Sequence, residues 1–110
     1  MNFYVGDSIS TIDINDYNIE FSDELLNFIY ENAKSIPCDT NILLKINPYT
    51  DTFIPLVNLP QIIKICNYLL NHELFLRELR LNEWTQMLTG LVEIAQDAIL
   101  KGSGLLSIGD

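Results

Sequence analysis

The sequence predicts an α+β domain, a mostly antiparallel sheet packed against two or three helices. Three observations predict it. Apolar and polar residues alternate near the N-terminus, in "ISTIDINDYNIEF", as half-buried strands require. Apolar residues then recur three and four apart in later stretches, the period of a packed helix. A short apolar tail, "GLLSIGD", follows a glycine stop and reads as a final strand. With 110 residues and 48% hydrophobic content, residues 1–110 form one domain with material for a real core.

The elements follow in order. "FYV" opens as a strand. Ile12 and Ile14 alternate with Asp13, and Tyr17, Ile19 and Phe21 alternate with Asn18 and Glu20. Two strands are expected there, acids on the wet face, with a turn at Asn15 and Asp16. The first helix has Ser22 as N-cap, Asp23 and Glu24 in its first turn, and Phe21 and Leu26 at the staple positions. Leu25, Leu26, Ile29 and Ala33 supply its apolar face, and Pro37 is expected to stop it. "NILLKI", residues 41–46, has strand length, as does "TFIPLV", where Pro55 points to an edge or a bulge. Between them Asn47 and Pro48 start a turn that joins two neighbouring strands.

A second helix begins near Asn58 or Leu59, with Pro60 in its first turn and Ile62, Ile63, Cys66, Leu69 and Leu70 at helical spacing. Residues 71–81 fit a helix or a bent connection. A third, longer helix runs from Asn82, as N-cap, to about Leu100. Trp84, Leu88, Leu91, Ala95 and Ala98 line one face, and Gly90 implies a close helix–helix approach. Gly102 is the expected stop.

Little in the chain looks like catalysis or cofactor chemistry. His72 is the sole histidine and has no cysteine beside it, while a zinc site needs three or four converging ligands. No glycine-rich phosphate loop precedes a helix, and any serine or cysteine nucleophile would have only His72 as base. Neither a metal nor a cofactor is expected. Cys38 and Cys66 form no C-x-x-C pair and sit in apolar surroundings, so both are expected to be buried, reduced thiols. The N-terminus, "MNFYVGDSIS", has no basic residue and no long apolar stretch, which argues against a secretory signal and for the cytoplasm. No apolar run is long enough to span a membrane.

Charge is the strongest compositional signal. The net charge is −9, with 15 acids against 6 bases. It is concentrated in the first half, where Lys34 is the first base in the chain. Asp13, Asp16, Glu20, Asp23 and Glu24 lie within twelve residues with no base among them. Such a surface opposes nucleic acid phosphates and anionic lipid. It suits solubility alone, or a basic protein partner.

One stretch, "KINPYTDTFIPLVNLPQIIKIC", resembles a pattern found in small acidic bacterial proteins among the immunity-protein-like components of polymorphic toxin systems. Those have an apolar strand, a D-P-Y-x-D-T-like turn, a second strand and a helix, and often end on an apolar strand closing in Gly-Asp. The matching positions are Pro48, Tyr49, Asp51, Thr52, Gly109 and Asp110, while Asn47 stands where the pattern has its first acid. The resemblance implies a non-enzymatic cytosolic protein that binds and neutralises a cognate toxin, and a basic toxin would suit the acids. Its partner-binding residues would be Asp13, Asp16, Glu20, Asp23, Glu24, Tyr49 and Asp51, acids to speed encounter and aromatics to anchor. Tyr17, Tyr30 and Tyr49 are the tyrosines placed beside acids. Two rival readings stay open: a structural or regulatory module that forms a homo-oligomer through the third helix, and a small enzyme that uses paired carboxylates.

Overall fold

A computed structural model describes residues 1–81 and 83–109, apart from the side chains of Leu74, Leu79, Arg80 and Leu81. The predicted α+β class is what it shows. Four strands, β1 (Asn2–Val5), β2 (Asn18–Glu20), β3 (Thr52–Ile54) and β4 (Leu105–Ile108), form an antiparallel sheet in the order β2-β1-β4-β3. Five α-helices accompany it: α1 (Asp23–Glu31), α2 (Asn41–Leu44), α3 (Leu59–Asn71), α4 (Glu73–Leu81) and α5 (Trp84–Leu100). Among the described residues, no helix is long and apolar enough to cross a membrane.

Register decides which residues face the helices, because directly opposed residues on antiparallel strands share a face. Phe3 opposes Ile19 and Ser107, and Ile54 opposes Leu105. This face meets α5, on which α3 packs, and all belong to one core, with Phe3, Leu25, Ile29, Ile62, Leu69, Leu91 and Ile94 fully buried. Each such side chain stabilises the fold by about 1.5–3 kcal/mol through removal from water. Tyr4 opposes Asn18 and Leu106 on the other face. Tyr4 and Leu106 are buried as well, because residues 6–17 fold over them: the Tyr4 hydroxyl donates to the Ile14 carbonyl at 3.3 Å.

Several elements match their sequence signals. Ser22 Oγ accepts from the Leu25 backbone N–H at 3.2 Å, the N-cap bond that starts α1. Pro60 sits in the first turn of α3, Pro55 ends the edge strand β3, and Gly102 leaves α5 at φ +67°. Residues 71–81 are both things expected of them: the backbone turns extended at His72, and α4 then begins. The expected cap at Asn82 lies outside the described residues.

Others are corrected. Ile12 and Ile14 do not form a strand, and Ile14 is 81% exposed. Asp13 and Asp16 spend their side chains on local backbone instead: Asp13 Oδ1 accepts from the Asn15 N–H and Asp16 Oδ2 from the Asp13 N–H. Such bonds offer the chain a turn in place of a ladder. Residues 41–46 form a helical turn, α2, rather than a strand. Asp39 Oδ1 accepts from the Asn41 N–H at 2.9 Å, which winds the chain just before it, and Leu43 and Ile46, three apart, face inward. α1 ends at Glu31, before Pro37, where the Asn32 backbone leaves the helical region at φ −105° and ψ 9° and its side-chain amide donates to the Phe28 carbonyl at 2.8 Å. Gly90 makes room for a strand and not a helix: a Cβ there would meet Ile19 Cγ2 of β2 at 3.2 Å. Cys66 is fully buried, but Cys38 is only half-buried.

Two predictions follow from packing. A Cβ on Gly104 would run into the Ile54 carbonyl oxygen and the Phe53 ring, both at the end of β3. Gly104→Ala is therefore expected to destabilise by about 1–3 kcal/mol, as overpacking does. Gly90→Ala meets the Ile19 Cγ2 methyl at 3.2 Å, a smaller overlap that involves no backbone atom, and gains helix propensity, so its effect should stay within about 1 kcal/mol. Urea unfolding of the two variants checks the contrast, and equal losses would contradict it.

The second concerns Cys66, whose thiol burial pushes up from the ordinary 9.0 to about 12, because the thiolate would be desolvated. The native state thus keeps the proton that the unfolded chain releases. Stability from this group is complete below 9.0 and falls as pH rises towards about 12. The slope in that window is about 1.4 kcal/mol per pH unit. Cys66→Ala should remove that part of the alkaline slope, read from urea midpoints across the window in both proteins.

Candidate functional site

Helical spacing brings the site together on one side. Asp23, Leu26, Asn27 and Tyr30 stand at i, i+3, i+4 and i+7 of α1, a single flank of the helix. That flank faces the end of α2 and the turn that follows. Between them lies a cleft of about 260 Å³, with Leu26, Leu44 and Ile46 beneath it and Pro48 at its side. Tyr30 and Tyr49 frame it from opposite elements and are 70% and 69% exposed. Asp23 is half-buried in its wall, and among the described residues it has no ion-pair partner.

The turn is built as its residue types require. Asn47 Oδ1 accepts from the Tyr49 N–H at 2.9 Å, and the Thr50 N–H donates to the Asn47 carbonyl at 3.3 Å. It joins α2 to β3, not strand to strand, and Tyr49 is carried at its outer corner. Asp51 acts at long range, its Oδ1 accepting from the Gly109 N–H at 3.2 Å. A Cβ on Gly109 would collide with the backbone of Tyr49 and Thr50, so only glycine lets the end of β4 lie against this turn. Pro48, Tyr49, Asp51, Thr52 and Gly109 are therefore neighbours in space, while Asp110 lies outside the described residues.

The residues singled out in the sequence fall into two groups. Asn2 opposes both Glu20 and Ile108, while Tyr4 opposes Asn18, which fixes the two ends of the sheet. Glu20, Asp23, Glu24, Tyr49 and Asp51 gather at the Asn2 end. Asp13 and Asp16 belong to the other end, together with Tyr17, where Asp16 and Tyr17 border a shallow recess beside Asp97 and Lys101. Lys101 is already engaged there, 2.9 Å from Asp97. Asp13 and Asp16 mainly hold their own turn, and Glu24 is exposed outside the cleft.

Tyr30 joins Tyr49 through the fold, although 19 positions separate them in the chain. Leu26, Leu44 and Ile46 read in the sequence as ordinary core, and only their shared edge with α1 makes them a cleft floor. The signal available beforehand was the 23, 26, 27, 30 spacing, which marks a flank but not what faces it.

A second, more apolar groove of about 370 Å³ lies on the opposite face of the sheet, among Tyr4, Ile9, Ile12, Ile14 and Ile108. No protein family, curated protein or solved structure matches this chain.

The tether makes a prediction. Asp51→Ala leaves the Gly109 N–H without its partner and should cost about 1 kcal/mol of stability. Pro48→Ala should cost about 1 kcal/mol or less, through the freedom of the unfolded chain. Thermal and urea unfolding read both, and an unchanged Asp51→Ala protein would remove the tether from the account.

Proposed function

We propose that this chain works by binding another protein, as a non-enzymatic, cytosolic, immunity-like component that neutralises a cognate toxin. The observation that carries the reading is the end of the sheet where Asp23, Tyr30 and Tyr49 surround one cleft with Glu20, Glu24 and Asp51 nearby. Exposed tyrosines over an apolar floor are the composition of a protein anchor site. The surrounding acids suit a basic surface, since a net charge of −9 repels phosphate-bearing ligands and draws in basic ones. The resemblance of "NPYTDT" and "SIGD" to immunity-like proteins supports the toxin as partner. Asn47, Asp51 and Gly109 act as scaffold of the same cleft.

Steering by exposed acids should act on encounter. The test is association kinetics with the product of the gene immediately upstream, for the natural protein and the Glu20→Lys, Asp23→Lys double variant, at low and high salt. The on-rate should fall as salt rises, since exposed charges are screened beyond about 10 Å at 0.1 M. The double reversal should lower the on-rate more than it raises the off-rate. Folding should change little at Glu20, within about 0.5 kcal/mol, as at most surface positions. Identical on-rates in both salts, or unchanged affinity in the variant, would remove the acidic end from the mechanism.

A further inference from the structure

We propose that the cleft between α1 and the turn at residues 47–51 is a socket for one arginine side chain of the partner protein. The inference rests on the partner-binding reading above and names the chemistry it would recognise. Three features of the cleft converge on that occupant. Its wall carries a half-buried carboxylate, Asp23, with no ion-pair partner among the described residues. Tyr30 and Tyr49, from separate elements, stand exposed at its rim. Its floor is aliphatic. An arginine uses all three at once. Its planar guanidinium pairs with a carboxylate through two parallel N–H bonds and stacks on aromatic rings, and its methylenes lie along apolar surface. A lysine ammonium is more strongly hydrated and cannot make the fork. An apolar side chain would leave the carboxylate desolvated and unpaired.

Position at a helix start does not reverse the sign. The α1 N-terminus contributes roughly half a positive charge, while Asp23 and Glu24 in the same turn contribute two negative ones. The Met1 ammonium, bound to the Phe21 carbonyl at 3.3 Å, adds one positive charge, and the two acids still outweigh the sum, so the local field favours a cation. The nearest positive groups are that ammonium and the exposed side chains of Lys34 and Lys45, and none of the three lines the cleft.

The turn holds the socket open. Tyr49 is carried on a loop fixed at both ends, by Asn47 Oδ1 on its own N–H and by Asp51 on Gly109. The backbone that carries the ring therefore needs little ordering on binding, which favours affinity.

The experiment is an amide NMR titration of the full chain with acetyl-arginine amide, using acetyl-lysine amide and acetyl-citrulline amide as controls. Saturable shifts confined to residues 22–30 and 44–50 are expected from the arginine compound. The lysine compound should bind more weakly. Citrulline has nearly the same shape without the charge and should give no saturation. Asp23→Asn keeps the size of the side chain and should weaken the arginine compound by about tenfold or more, the effect of losing a charged hydrogen bond. Tyr49→Ala should weaken it less. Equal shifts from citrulline, undiminished binding in Asp23→Asn, shifts spread over the acidic surface, or no saturable shift at all would each overturn the socket. The upstream gene product provides the separating arm. If it still associates in a salt-dependent way while the titration fails, the socket falls and the binding function stands. If it does not associate while the titration succeeds, the toxin reading falls and the socket stands.

Discussion

β4 enters the sheet between β1 and β3, and both of its ends lie so close to the β3 side that only glycine fits there. Gly104 lies against the Ile54 carbonyl, and Gly109 lies against the backbone of Tyr49 and Thr50. Without β4 the sheet is a β1–β2 pair and a lone three-residue edge, and neither is stable by itself in water. The last strand of the chain thus closes a sheet whose first strand was made at the start. Asn2 opposes Ile108, and the loop closure this demands is the largest among the strand pairs of the described residues. Burial on both faces of β4 offsets that entropy: Leu105 meets the helices, and Leu106 meets the segment over the opposite face.

The same closure places the candidate site. The Asp51–Gly109 bond joins the end of β4 to the turn before β3, so the position of Tyr49 depends on the strand having entered correctly. α1 arrives from the other side of the sheet. β2 pairs with β1, the Phe21 N–H donates to the Met1 carbonyl at 2.9 Å, and Ser22 then starts the helix. Two separately built elements meet over Leu44 and Ile46, and the cleft is the space between them. Sheet stability and cleft shape are consequently coupled, and a substitution that weakens the tether acts on both.

Most signals carried by a single residue or a single turn survived into the fold, although α1 ends well before Pro37. Ser22 caps, Pro55 ends an edge strand, Pro60 opens a helix and Gly102 closes one, because each effect is set by the backbone chemistry of that residue. Signals carried by periodicity held where the run was long, as in α3 and α5. Short runs divided: the alternation at Tyr17, Ile19 and Phe21 and the tail held as β2 and β4, while two others failed. "TIDI" alternates like a strand, yet Asp13 and Asp16 bond local N–H groups and hold a turn. "NILLKI" is apolar enough for a strand or a helical turn, and the Asp39 bond to Asn41 decided for the turn. Gly90 was read correctly as a close approach, but the neighbour is Ile19 and not a helix, since one glycine says nothing of what comes near it.

Composition and local chemistry alone determined the α+β class, the acidic surface, the major helix starts and the conformation of the 47–51 turn. These depend on backbone preferences and charge, which each residue carries with it. Tertiary structure alone decided the strand order, the split of the acids between the two ends of the sheet, and the pairing of Tyr30 with Tyr49 around Asp23. Those are distances between residues far apart in the chain. They are set by which apolar faces bury one another and by where β4 fits, and no local pattern encodes that.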